Sequence, residues 1–352
     1  MNSKRVVITR PMNAQLLDFE TKPLKDNDVL VENQFSLISA GTERAGLVGL
    51  PNTPGGFPFT PGYSSVGTII ETGKSVKELK EGDKVFVLYG GHAKHSVKDA
   101  KFIFKLDIPT VAIHAMASDI PHGSHSPELL KYVFIKLASY SLLGMRRCGL
   151  EIGENCVISG LGLLGQFGVY FAKVAGAYPV IAIASQETSL NKAKDFGADY
   201  VFSYRQANYE QEIIDLTHKT NLIKGAAVTI ETSGEIKALH SALIYAAKQG
   251  RISLTGCNRV VNEPLDLYNT IHRKGLFLIG GHEQSRQIFS TKNNFTWRRD
   301  YTFIFHHLKS GQLDVSSLIS EIHSPEDTTI VYERLANEKD FPLGVVFDWT
   351  KC

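Results

Sequence analysis

Apolar and polar residues alternate in different styles along the chain. Over the first hundred residues, short β-branched runs at 6–9, 29–31, 68–71 and 84–88 are separated by turn-forming clusters such as Pro54-Gly55-Gly56 and Glu81-Gly82-Asp83. Runs of this length, bounded in this way, predict a β-rich domain. Residues 109–126 hold three histidines and two prolines and predict a loop or a crossing between domains. Helical spacing returns over 127–147. From residue 155 the period changes. The stretches 156–159, 179–184, 200–203, 226–231, 251–255 and 276–279 read as buried strands, with helices at 162–174 and 189–196. In the first of these helices Phe167, Phe171 and Val174 fall at i, i+4 and i+7, which predicts one apolar face. Strands alternating with helices predict parallel βαβ units. The last fifty residues return to the earlier style, with a helix over 303–310 and a closing strand over 344–347.

The chemistry begins at Val157-Ile158-Ser159-Gly160-Leu161-Gly162-Leu163-Leu164-Gly165. Three glycines in G-x-G-x-x-G spacing, after an apolar strand and opening a helix, are what a dinucleotide turn requires. Gly160 allows the tight turn, Gly162 lets a pyrophosphate approach the backbone, and Gly165 lets helix and strand pack closely. The phosphates then face the free N–H groups of the helix start, at Leu163 and Leu164. The second strand of such a unit ordinarily ends near an acid that binds the ribose 2′-hydroxyl of NAD. Here it ends Ala184-Ser185-Gln186. Ser185 leaves room for a 2′-phosphate, with Lys192, Tyr204 and Arg205 as expected partners, so NADP is the preferred cofactor. NAD, bound without the acid or with Glu187 in its place, is the alternative. Thr232, Thr255, Gly256 and Gly280, at the ends of later strands, complete the expected cofactor site.

Composition narrows the function classes. The 352 residues suggest about two domains. A charge of +2 is too small for a chain dedicated to nucleic acid or to an anionic membrane, and 43% hydrophobic residues argue against disorder. The most apolar stretch, 156–184, is broken by glycines and contains Gln166 and Lys173, which argues against a membrane span. The first residues, MNSKRVVITR, lack a signal-peptide core, so a mature start is expected. Cys148, Cys156, Cys257 and Cys352 form no C-x-x-C pair, and free thiols in a reducing cytoplasm are expected.

Ser39-Ala40-Gly41-Thr42-Glu43, Pro61-Gly62-Tyr63-Ser64-Ser65-Val66-Gly67, Glu81-Gly82-Asp83-Lys84-Val85, the glycine turn and Gly197-Ala198-Asp199 occur in that order. In this series the chain resembles the medium-chain dehydrogenase/reductase superfamily, nearly end to end. The resemblance implies an α/β protein with two domains. A GroES-like β-rich catalytic domain is expected from residues 1–130 and 292–352, and a Rossmann doubly wound parallel sheet from residues 131–291. It also implies an active site in the cleft between them and homodimers formed through the Rossmann sheet edge.

The departures from the family bear on mechanism. Zinc members carry Cys-Gly-Thr-Asp where this chain has Ala40-Gly41-Thr42-Glu43, and Gly-His-Glu where it has Gly62-Tyr63-Ser64. The third ligand position falls near Lys136, and the cysteine lobe of the structural zinc is missing. Zinc needs thiolate, imidazole or carboxylate donors, so no metal is expected. Another group must then stabilise or protonate the substrate oxygen. The expected catalytic residues are Thr42, at the family's relay hydroxyl; Tyr63, whose phenol can donate to a carbonyl; Lys136, whose ammonium can stabilise an alkoxide and activate a phenol; Glu43, as a buried acid holding the geometry; and His92, with His95, on the loop after Gly90-Gly91. His282 is a further candidate near the nicotinamide, and Arg298-Arg299 could hold a phosphate or carboxylate. His122 and His125 carry no expectation.

These residues support an enzyme moving hydride between NAD(P)H and the alcohol/carbonyl of a small polyol- or sugar-like substrate. One alternative is reduction of a carbon–carbon double bond, as in quinone and enoyl reductases. Another is a nucleotide-binding sensor or structural protein without turnover.

Overall fold

The computed structural model describes residues 1–53, 55–108, 127–260, 263–287, 289, 291 and 295–352. The expected loop with its three histidines, at 109–126, lies outside them, as does Pro54 of one expected turn. Two compact units are present. One comprises Met1–Lys136 and Phe305–Cys352, the other Leu137–Ile304. The dividing points lie inside the helices Ile135–Cys148 and Trp297–Lys309, against expected bounds at 130 and 292.

The first unit is built on one sheet of seven strands. Its main path runs Ile319–His323, Gly344–Asp348, Asp28–Leu37, Ser64–Thr72, Lys84–Leu88 and Ile103–Lys105, and His95–Asp99 also pairs with Asp28–Leu37. The chain's last strand joins its third by antiparallel pairing, with Val346 opposite Leu37. The two sequence segments therefore close a single domain. The strands Asn2–Arg10 and Asn13–Glu20 form a separate antiparallel hairpin. Its inward residues Val6 and Ile8 pack in a buried core with Ile38, Leu47, Val331, Leu335, Phe347 and Trp349. That core lies under the helices Ala40–Val48 and Thr328–Asn337.

The second unit is a six-stranded parallel sheet. Its order is Tyr200–Ser203, Val180–Ala184, Cys156–Ser159, Ala226–Glu231, Ala246–Leu254, Phe277–Gly280. The first strand in sequence, Cys156–Ser159, sits between the second and the fourth. The direction of winding reverses there, and such sheets bind ligands at the carboxyl ends of the strands around that point. Val180–Ala184 and Cys156–Ser159 are buried throughout, as expected of strands covered on both faces. The helix Leu163–Val174 buries Phe167 and Phe171, but Val174, expected on the same face, is the helix's last residue and is 47% exposed. Among the described residues no helix is long and apolar enough to cross a membrane.

Candidate active site

In the first unit, Glu43 lies on the first turn of the helix Ala40–Val48 and is buried. Its carboxylate accepts from the Ser39 backbone N–H at 2.8 Å, from His92 Nε2 at 3.0 Å and from the Tyr332 hydroxyl. His92 turns its other nitrogen, Nδ1, to Ser36 Oγ at 2.7 Å. Ser36 Oγ also accepts from Trp349 Nε1 at 2.8 Å, so its own hydrogen is left for His92 Nδ1. This pattern assigns the His92 proton to Nε2, facing Glu43. All five side chains are buried. Gly62 permits the packing. It sits at φ +91°, and a Cβ there would lie 2.7 Å from the His92 backbone nitrogen.

This network corrects one expectation. His92 has no exposed surface, so it cannot line a substrate cleft. Its Nε2 meets Glu43. The chain from Glu43 continues outward, because Ser39, whose N–H the carboxylate holds, accepts a hydrogen bond from the Tyr63 hydroxyl at its Oγ. Tyr63, Thr42 and Glu43 line one cavity of about 610 Å³ in this unit. Lys136 is fully buried, with Nζ 3.3 Å from the Tyr89 hydroxyl and 5.0 Å from the centre of its ring. Tyr89 in turn donates its backbone N–H to the Tyr63 carbonyl at 3.2 Å.

Ala40, Tyr63 and Lys136, where the resemblance places zinc ligands, present a methyl group, a hydrogen-bonded phenol and an ammonium group. These residues do not fit a metal. Among the described residues no group of three or more His, Cys, Asp or Glu side chains could hold one.

In the second unit the glycine turn has the geometry that a dinucleotide needs. Gly160 is at φ +90°, and a Cβ on Gly165 would lie 1.9 Å from the Gly160 carbonyl oxygen. Around Gly162, which caps the helix Leu163–Val174, a Cβ would meet nothing within 4 Å. The backbone there is open to a phosphate. The Thr232 hydroxyl donates to the Ser159 and Gly160 carbonyls at 3.1 and 2.8 Å and holds the turn from behind. Thr255 and Gly256 both donate their N–H groups to the Glu231 carbonyl, at 2.9 and 2.7 Å. Ser185, Arg205 and Gly280 are exposed at strand ends, and Lys192 is half-buried on the helix Glu187–Asp195. These residues fit a dinucleotide.

Tyr204 departs from its expected role. Its hydroxyl lies 2.6 Å from the buried Ser159 Oγ, beneath the turn, and burial raises the phenol's pKa well above its ordinary value. It packs against the sheet and does not face a 2′-phosphate. Glu231 had no expected role. It is fully buried at the end of the central strand, and its carboxylate accepts from the N–H groups of Ser233 at 2.7 Å and Gly234 at 3.2 Å. Burial raises its pKa to about 6, against these stabilising hydrogen bonds. His282 is exposed and accepts from the Gln284 N–H at 3.2 Å. Arg298 and Arg299 lie over the rings of Trp297 and Phe295, at 4.4 and 3.5 Å. His95 is buried against Ser3 Oγ at 3.0 Å, and burial lowers its basicity.

Comparison with known proteins agrees with these two units. Residues 25–107 match the alcohol dehydrogenase GroES-like domain, and residues 164–295 match the zinc-binding dehydrogenase family. D-guloside 3-dehydrogenase of Escherichia coli (strain K12) is 29% identical over 98% of this chain and all of that protein. Sorbitol dehydrogenase of Bacillus subtilis is 25% identical over 82% of this chain and 80% of that protein. A solved structure from Sinorhizobium meliloti, bound to NADP, shares the fold with a TM-score of 0.78 at 20% identity, covering 99% of both chains. The class is a nicotinamide-dependent oxidoreductase with a GroES-like and a Rossmann part. This chain belongs to the medium-chain dehydrogenase/reductase superfamily.

Proposed function

We propose that the chain transfers hydride between NADP, in preference to NAD, and an alcohol/carbonyl pair on a polyol- or sugar-like substrate, without zinc. The observation that carries this reading is Tyr63. It stands where the family has a zinc ligand, its hydroxyl is fixed by Ser39, and it shares a cavity with Thr42. A bound nicotinamide supplies the hydride acceptor or donor. The protein's groups handle the proton. Tyr63 gives a proton to the substrate oxygen in reduction and takes it in oxidation. Lys136, through the Tyr89 hydroxyl, places positive charge behind the developing alkoxide. The Thr42 hydroxyl binds a neighbouring substrate oxygen. Glu43 and His92 hold Ser39, and so Tyr63, in position.

Gly160, Gly162, Gly165 and the N–H groups of Leu163 and Leu164 bind the pyrophosphate. Ser185 and Arg205 support NADP, as does the NADP carried by the Sinorhizobium meliloti relative. The guloside and sorbitol in the names of the two curated relatives support a hydroxylated substrate. We also propose a homodimer through the terminal strand Phe277–Gly280, whose outer edge is unpaired among the described strands and whose Phe277 is 56% exposed. Phe277→Asp is expected to halve the particle mass in light scattering.

The test follows NADPH and NADH oxidation against aldehydes, ketosugars, quinones and enones, before and after chelation. Turnover of ketosugars that survives removal of all bound metal is expected. Turnover confined to enones or quinones, or activity that tracks zinc content, overturns the reading. Tyr63→Phe and Lys136→Ala, with folding checked by thermal melts, are expected to lower kcat by about 10²–10⁴ and a smaller factor respectively. Wild-type turnover in both removes the proposed proton path.

A further inference from the structure

One wall of the 610 Å³ cavity, with no role assigned so far, is formed by the N-terminal hairpin, the segment just after it and the strand His95–Asp99, which contribute Arg5, Phe19, Lys22 and Lys98. The pairing of the hairpin explains part of this. Arg5 stands opposite Leu17, so Phe19 is its diagonal neighbour on the same face, and the guanidinium lies 4.6 Å from the centre of the Phe19 ring. Arg5 Nε is buried and has no hydrogen-bond partner, and the guanidinium makes no ion pair among the described residues. Lys98 is half-buried and also has no hydrogen-bond or ion-pair partner among the described residues. Its basicity is lowered by burial, and then by the positive charge of Lys22.

The nearby carboxylates leave Arg5 and Lys98 without an acidic partner. Asp99 pairs with Lys101 at 3.2 Å and also feels the charge of Lys22, Glu32 pairs with Lys94 at 3.2 Å, and Glu43 is taken up by its three hydrogen-bond donors. Glu20 lines the cavity but is exposed, and strand alternation turns it to the face away from Phe19. Arg5 and Lys98, each without an acidic partner among the described residues, cost free energy in the absence of an anion. A guanidinium with no acidic partner and an unpartnered Nε–H suits a phosphate or carboxylate. The same cavity carries the neutral hydroxyls of Thr21, Thr42, Thr60 and Tyr63, and its volume is that of a small-molecule site.

We propose that the cavity selects a polyol or sugar bearing a terminal oxyanion, either a phosphate ester or a carboxylate, which Arg5, Lys98 and Lys22 bind while Thr42 and Tyr63 meet the hydroxylated part. The assignment of Thr42 and Tyr63 to the reacting end rests on the proposed hydride transfer. The oxyanion site does not depend on it.

The test has two arms. In the first, KM and kcat are measured with saturating NADP for sorbitol, sorbitol 6-phosphate and gluconate, using the wild type, Arg5→Gln, Lys98→Gln, the double variant and Arg5→Lys. A charged substrate is expected to have a KM lower than that of sorbitol by about tenfold or more. The double variant is expected to bring the ratio near one, and Arg5→Lys to retain part of it. If the variants lose affinity for charged and neutral substrates alike, their role is structural and the inference is overturned. The second arm titrates the same three compounds calorimetrically into the NADPH complex, where cofactor and polyol are both reduced and no chemistry occurs. If nothing is turned over, the hydride reading fails and this arm decides alone. Saturable binding of sorbitol 6-phosphate or gluconate, tighter than sorbitol and lost in the double variant, upholds the oxyanion site. Equal binding of all three, or none, refutes it. Preference for one charged compound over the other identifies the oxyanion.

Discussion

Replacing Glu43 by Gln tests whether the buried network holds the first unit together and positions Tyr63. The carboxylate receives Ser39 N–H at 2.8 Å, His92 Nε2 at 3.0 Å and the Tyr332 hydroxyl. All these partners are donors. Glutamine has the same shape but offers one accepting oxygen, so its amide hydrogens must face at least one donor. Losing hydrogen bonds to a buried carboxylate costs about 1.5–3 kcal/mol. A body of this size shifts by about 2–4 °C per kcal/mol, so the melting temperature is expected to fall by roughly 3–12 °C. Tyr332→Phe removes a single donor and leaves the others, so its cost is about 1–3 kcal/mol. The double variant is expected to lose less than the sum, because both changes act on one oxygen. Thermal unfolding followed by circular dichroism measures all three. A Glu43→Gln melting point within 2 °C of wild type corresponds to less than about 1 kcal/mol and refutes the reasoning.

Gly165→Ala places a methyl group 1.9 Å from the Gly160 oxygen. It is expected to weaken NADPH binding by about 1–3 kcal/mol in a fluorescence titration, and unchanged affinity refutes the role given to the turn. Glu231 is buried with its pKa raised from 4.5 to about 6. The folded state therefore holds this proton more tightly than the unfolded one. Its contribution is fully present below pH 4.5 and is lost as pH rises through 6, a change of about 2 kcal/mol. Denaturant titrations of wild type and Glu231→Gln at pH 4.5 and 7.5 should show the wild type losing that much more stability, and parallel behaviour counts against it. Tyr204→Phe is expected to leave the NADPH-to-NADH preference unchanged, since its hydroxyl is spent on Ser159. Arg205→Ala, at an exposed position, is expected to reduce that preference, and the opposite pattern would restore Tyr204 to the cofactor site.

The parallel unit was the more legible half of the fold. Its strands are short apolar runs between helices with a regular period, and the glycine turn marks where the winding begins. The run 156–159 was recoverable because every residue in it is buried. The strands 95–99 and 319–323 carry mixed polar and apolar residues at the sheet's margins, and nothing in their pattern separates them from loops. Val174 shows the limit of periodicity on the helical side. Spacing assigns a residue to a face, but it does not say where the helix outruns what it packs on.

The site was legible as positions and not as partnerships. Counting along the chain placed Lys136 near the third metal-ligand position, and comparison of motifs placed Ala40 and Tyr63 at the other two, because each sits in a recognisable stretch. Their actual partners do not. Tyr332 and Trp349 reach Glu43 and Ser36 from about three hundred residues away, on a helix and just past a strand that close the domain from its other end. His92 was misread for a related reason. A histidine after two glycines resembles an exposed loop residue, whereas Gly62, by lacking a side chain, allows the loop to fold inward over it. Loss of the metal would therefore not leave the site without structure. Zinc fixes three ligands through one centre. Here the buried carboxylate of Glu43 gathers donors from three separate parts of the chain, and Tyr63 is held at the margin of that centre by Ser39. Under the proposed hydride transfer the tasks separate: Glu43 gives the rigidity that a metal gives elsewhere, and Tyr63 is the group proposed to meet the substrate oxygen.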